Sequence, residues 1–108
     1  MPIILKRGVD LIGAQPELLF GVQVVASLFE RRGVDLIVTS VRDGKHGPHS
    51  LHPFGYAADL RSWQLEDEDD KRRLVSEAKA LLHEQYDVLY EPAQGERAEH
   101  FHLEVDPR

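Results

Sequence analysis

The sequence contains no cysteine. Disulfides, thiolate nucleophiles and all-cysteine zinc sites are therefore excluded, and a metal site would have to be built from His, Asp and Glu. The lack of disulfides fits a reducing compartment. No segment approaches the ~20 consecutive apolar residues that cross a bilayer. The opening MPIILKRGVDLIG has too short an apolar run for a signal-peptide core and lacks the small-residue cleavage site. Positive charge is also scarce: 13 Lys and Arg stand against 19 Asp and Glu, a formal net charge of -6. That balance argues against duplex nucleic acid and anionic membrane as partners, because both reward basic surfaces.

What is present suits one globular domain spanning residues 1–108. The hydrophobic fraction is 42%, and a chain of this length can bury roughly 65% of its unfolded surface. Gln15-Pro16-Glu17 places proline and an acid where a helix starts. Leu18, Leu19, Val22, Val25, Ala26 and Phe29 follow at helical spacing. The reading is a helix over Pro16–Arg32, closed by basic residues and Gly33. Val34–Ser40 is β-branched and predicts a buried strand. Val41–Phe54 holds two glycines and two prolines and predicts a loop. Tyr56–Arg61 predicts a short strand. A second helix is expected from Leu65 to about Gln85, with the acids Glu66–Asp70 as its solvated first turn rather than a calcium loop. Asp87–Tyr90 predicts a strand, Glu91–Arg97 a loop, and the alternating His100–Val105 a last strand. The expected class is α+β, with two main helices on a small antiparallel or mixed sheet. RGVDLI occurs twice, at Arg7–Ile12 and Arg32–Ile37, in contexts too different for a structural repeat.

The six histidines are clustered. His46, His49 and His52 share the long loop, His100 and His102 lie near the end, and only His83 stands apart. His52 and Asp59 flank a Pro53–Gly55 turn that no helix could span. Gly55 permits the tight turn, Ala57 and Ala58 leave room, and Asp59 enters a strand that would hold it rigidly. Two histidines, one carboxylate and an open fourth position would suit a catalytic zinc. Such a site acidifies its water, and a nearby carboxylate must then move the proton. Taken from spacing alone, this pattern is only suggestive.

Ser50-Leu51-His52-Pro53-Phe54-Gly55-Tyr56-Ala57-Ala58-Asp59 matches the pattern S-x-H-x-x-G-x-A-x-D at each of its five fixed positions. The stretch resembles the D-Ala-D-Ala carboxypeptidase and L-alanyl-D-glutamate endopeptidase family of zinc peptidases. That core is shared with the signalling domain of hedgehog proteins. Thr39-Ser40-Val41-Arg42 is similar to the family's strand leading to an arginine, and Glu99-His100-Phe101-His102 to its closing motif. The three motifs come in the family's order and span over half of the chain.

The resemblance implies a peptidase with zinc at the sheet face, held by His52, Asp59 and His102. It implies Glu99 as general base, with Glu91 of Tyr90-Glu91-Pro92 as its rival because hedgehog domains carry an acid in a Tyr-Glu segment. Arg42 would bind substrate or steady the oxyanion, and Ser50 would support the site or contact the peptide. His100 would polarise the carbonyl or hold a metal ligand in place from behind. The implied substrate is a stem peptide of bacterial peptidoglycan, and the source a cytoplasmic enzyme or an endolysin-like phage protein released to the wall by a partner. A zinc-containing binding or virion module without turnover is the alternative. Trp63 and Tyr90 are expected in the core or a cleft wall.

Overall fold

The computed structural model describes residues 3–41 and 54–106. Their elements are β1 (Ile3–Leu5), α1 (Pro16–Arg31), β2 (Leu36–Ser40), β3 (Ala57–Arg61), α2 (Glu68–Leu81), β4 (Tyr86–Glu91) and β5 (His100–Val105). The strands form one mixed sheet in the order β1-β2-β3-β5-β4. Only β1 and β2 run parallel; β2–β3, β3–β5 and β4–β5 are antiparallel. The chain is thus a single compact α+β domain, as its pattern predicts.

Alternation decides which side of the sheet is core. In β5, Phe101, Leu103 and Val105 are buried against the helices, and His100, His102 and Glu104 alternate to the other side. In β3, Ala58 and Leu60 join the core while Asp59 and Arg61 face away from it. The stripe of α1 supplies Leu18, Val22, Val25, Ala26 and Phe29. The Phe29 and Phe101 rings meet edge to face at 5.9 Å, a favourable aromatic geometry. Gly21 allows α1 to lie close on the sheet, since a Cβ there would come within 3.0 Å of the Tyr86 ring. The Tyr86 hydroxyl then donates to the Glu17 carbonyl at 2.7 Å. Arg32, at the end of α1, forks onto Asp70 and Glu77 of α2, so the two helices are tied by charge as well as by packing.

The boundaries differ from expectation in instructive places. α2 starts at Glu68, where Asp67 caps it by accepting from the Asp69 amide at 2.9 Å. It ends at Leu81 rather than near Gln85, because Leu82 turns extended to bury its side chain and Tyr86 is claimed by pairing with Val105. The strand β1 was not anticipated. It is only three residues long and gains its backbone partners from Leu36–Val38, a pairing that local pattern cannot reveal. The two RGVDLI copies adopt unrelated structures: the first lies in turns, the second runs from the end of α1 into β2.

Candidate metal centre

The antiparallel register of β3 and β5 sets Asp59 directly opposite His102. Both side chains stand on the sheet face away from the helices, and His102 is 14% exposed. His102 Nδ1 lies 3.0 Å from Asp59 Oδ1, and its Nε2 lies 2.9 Å from Glu104 Oε1. Both ring nitrogens therefore meet carboxylate oxygens. A neutral imidazole has one N–H and can satisfy only one of them. The other contact sets lone pair against lone pair unless a positive charge intervenes. That charge is either a second proton on the ring or a cation at the shared point. Burial disfavours a charged ring, but the hydrogen bonds to Asp59 and Glu104 outweigh it and hold the His102 pKa above its ordinary value.

The donor chemistry fits zinc as far as it is described. A carboxylate oxygen and an imidazole Nδ1 converge, while the opposite ring nitrogen is tied to a second carboxylate, as metal-bound histidines usually are. His52, the third ligand expected, lies outside the described residues, as do Arg42, Ser50, His46 and His49. Among the described residues no three His, Asp or Glu side chains are grouped to hold a metal ion, so the expected zinc site at the sheet face is not evident there. Gly55, within the motif, has φ +80, and a Cβ on it would collide with the Gly13 carbonyl. The turn before Asp59 is thereby sealed against the loop before α1, and Gln15 donates its backbone N–H to Gly55 O at 3.0 Å.

His100 is buried one register step from the pair, with Arg61 opposite it on β3 and Glu91 opposite it on β4. Its Nδ1 sits 3.0 Å from the Ala98 carbonyl and so carries a proton. Its Nε2 lies 3.1 Å from Glu91 Oε2 and 3.4 Å from Arg97 Nη2. A neutral ring accepts from Arg97, and a doubly protonated ring donates to Glu91. The Arg97 guanidinium also pairs with Glu91 at 3.4 Å.

Glu99 is placed differently. It immediately precedes β5 and lines the same cleft as Asp59 and His100. Its carboxylate, however, is held by Lys71 Nζ of α2 at 2.7 Å and accepts from the Ser62 hydroxyl at 2.7 Å. The Tyr90 hydroxyl, which donates to Glu68 at 2.7 Å, lies 3.3 Å away. Burial alone would raise the Glu99 pKa, but the hydrogen bonds from Lys71 and Ser62 outweigh it and hold it below the usual carboxylate range. Lys71 is almost fully buried, and Glu99 in turn raises its pKa against the effect of burial. Tyr90 packs on Phe101 at 5.7 Å with its phenol pKa pushed up by burial and by Glu68. Trp63 is 55% exposed and lines the cleft. His83 is exposed beyond α2, its ring against Tyr86.

Glu104 and Arg61 were not singled out from the sequence. Each stands two residues from a candidate ligand in an alternating strand, so alternation alone places it on the ligand's face. The cross-strand approach of Glu91 to His100 needs the β4–β5 register, and the Lys71–Glu99 pair needs the helix packed on the sheet. No protein-family model, curated protein or solved structure matches this chain.

Proposed function

We propose that the Asp59–His102 face is the centre of a zinc-dependent peptidase acting on short, D-amino-acid-containing peptides of bacterial cell wall. The observation that carries this reading is the pair of carboxylates on the two ring nitrogens of His102, a polar arrangement that a bound cation would complete in place of a second ring proton. His52, Asp59 and His102 would hold the metal. When bound, zinc would supply Lewis acidity toward a peptide carbonyl and lower the pKa of nearby water. Glu104 orients His102 by accepting from Nε2, which keeps Nδ1 available as a ligand.

In this reading Glu91 rather than Glu99 takes the proton from the attacking water. Its carboxylate reaches the histidine face, and its pairing with His100 and with the exposed Arg97 is loose enough to yield. Glu99 is a poorer base because a buried ammonium and a hydroxyl already engage its carboxylate. His100 is fixed by the Ala98 carbonyl so that Nε2 points toward Glu91, where it can receive a proton or polarise a carbonyl. Arg42 remains the proposed partner of the developing oxyanion.

The test is elemental analysis of the purified protein joined to release of amino groups from peptidoglycan. One zinc per chain and hydrolysis lost in Glu91→Gln but kept in Glu99→Gln are expected. A protein that binds no zinc at micromolar metal and neutral pH would sink the reading. Zinc without hydrolysis of any wall peptide would leave a binding module on this scaffold.

A further inference from the structure

Among the described residues the buried polar and charged ones are Ser62, Lys71 and His100, and all three gather around Glu99. Lys71 is only 4% exposed. A buried pair of opposite charges is often no more stabilising than apolar side chains of the same volume. What such a pair can supply instead is a fixed geometry, and the geometry fixed here lies directly behind the histidine face.

Lys71 Nζ and Ser62 Oγ converge on one oxygen, each 2.7 Å from Glu99 Oε2. The same ammonium lies 3.5 Å from Glu68 Oε1, the atom that accepts from the Tyr90 hydroxyl at 2.7 Å. Tyr90 Oη is in turn 3.3 Å from Glu99 Oε2. One lysine of α2 thus joins a side chain of β4 to the residue that enters β5. Tyr90 precedes Glu91, Glu99 precedes His100, and Glu91 and His100 are register partners. On the other side of Glu99 the Ala98 carbonyl accepts from His100 Nδ1 at 3.0 Å. The anchored carboxylate therefore sits between the two backbone positions that aim His100 Nε2 at Glu91, 3.1 Å away.

Loss of the ammonium would reverse the pull on Glu99. This residue also lines a cleft with Arg61 and Arg97, and an unpaired carboxylate is drawn to such cations. Arg97 is the partner of Glu91 at 3.4 Å. A Glu99 turned into the cleft would compete for Arg97 and drag the 98–100 backbone with it.

We infer that Lys71 is a positioning residue, which holds Glu99 back against Ser62 and so keeps Glu91 and His100 aligned for proton transfer. The inference rests on the peptidase reading and deepens it.

The test compares Lys71→Met, Glu99→Gln and the double variant, at a temperature where circular dichroism shows each to be folded. With soluble wall peptides and zinc, kcat should fall about tenfold in Lys71→Met at unchanged KM, because a shift of a fraction of an ångström in a reacting group is enough. The double variant should return to within about threefold of the parent, since a neutral amide still accepts from Ser62 and is not drawn to the arginines. The second readout needs neither zinc nor substrate. It is the NMR signal of the His100 Nδ1–H in metal-free protein, assigned by its loss in His100→Gln. The signal should be present in the parent and the double variant and lost to exchange with water in Lys71→Met. If Lys71→Met does not fold, Ser62→Ala removes a neutral donor from the same oxygen, and a smaller loss in the same direction is expected. A ring signal retained in the single variant, or a loss that the double variant does not restore, would overturn the positioning role. Hydrolysis and ring signal both indifferent to Lys71 would remove the clamp and leave the peptidase standing. A ring signal lost and restored as expected, in a protein that hydrolyses nothing, would do the reverse.

Discussion

Glu91 and Glu99 are eight positions apart, flank the same turn and line up at the same end of β5, yet they live in opposite electrostatic worlds. Glu99 is closed in by Lys71, Ser62 and Tyr90, donors that match its charge and its lone pairs. Glu91 faces a histidine and a mostly exposed arginine, at 3.1 and 3.4 Å. The difference teaches how one residue type serves two ends. A carboxylate engaged by an ammonium and a hydroxyl holds structure together, and a carboxylate that faces a histidine stands where proton-transfer chemistry can be built. The same contrast separates the two faces of the sheet. On the helix side the buried charge is matched, as Lys71 is by Glu99 and Glu68. Around His102, two carboxylates converge on one ring.

The largest expected break in that comparison is Glu91→Gln. If Glu91 moves the proton, hydrolysis should fall about a thousandfold, with zinc content unchanged by elemental analysis. Glu99→Gln should keep its rate within about threefold of the parent if, as proposed, Glu91 moves the proton. The opposite order of rates would reassign the base to Glu99.

Stability should respond the other way round. Lys71→Met leaves the Glu99 carboxylate without its ammonium and should cost about 2 kcal/mol in denaturant unfolding, less than a fully buried broken pair because Glu99 keeps some exposure. A cost near zero would show that the pair is dispensable. A third effect is in pH. The folded Glu99 pKa lies below its unfolded value, so its contribution is complete above the ordinary carboxylate range and fades as pH falls through the folded value. Lys71 has the reverse sign: its folded pKa is raised, so its contribution is complete below its unfolded value and fades at strongly alkaline pH. Thermal melts from pH 5 down to pH 3 should therefore lose less stability in Glu99→Gln than in the parent. The smallest effect is His83→Ala. That ring packs on Tyr86 and accepts from the Gln85 amide, away from Asp59 and His102, and zinc content and hydrolysis should both stay at parental levels.

Much of the fold was legible because it is written in local periodicity. The stripe Leu18–Phe29, the proline at Pro16 and the alternation of His100–Val105 carry their own geometry, and α1 and β5 fall where those patterns put them. The short β1 was hidden because three residues have no period to read. The end of α2 was overrun because Leu82 and Tyr86 answer to the core and to β5, not to helix propensity. For the site, the motif residues Asp59 and His102 could be named in advance and do stand opposite each other. The partner of Glu99 could not be named in advance, because a lysine on α2, nearly thirty residues earlier in the chain, is invisible to a motif.

By itself the sequence determined the class of the fold, the core faces of its main helix and last strand, and the residue types available for a metal, because these follow from composition and from periods of 3.6 and 2. Tertiary structure decided which carboxylate meets a histidine and which meets a lysine. Those outcomes depend on strand register and on helix docking, which sum weak contacts over the whole core and leave no signature in any short stretch of chain.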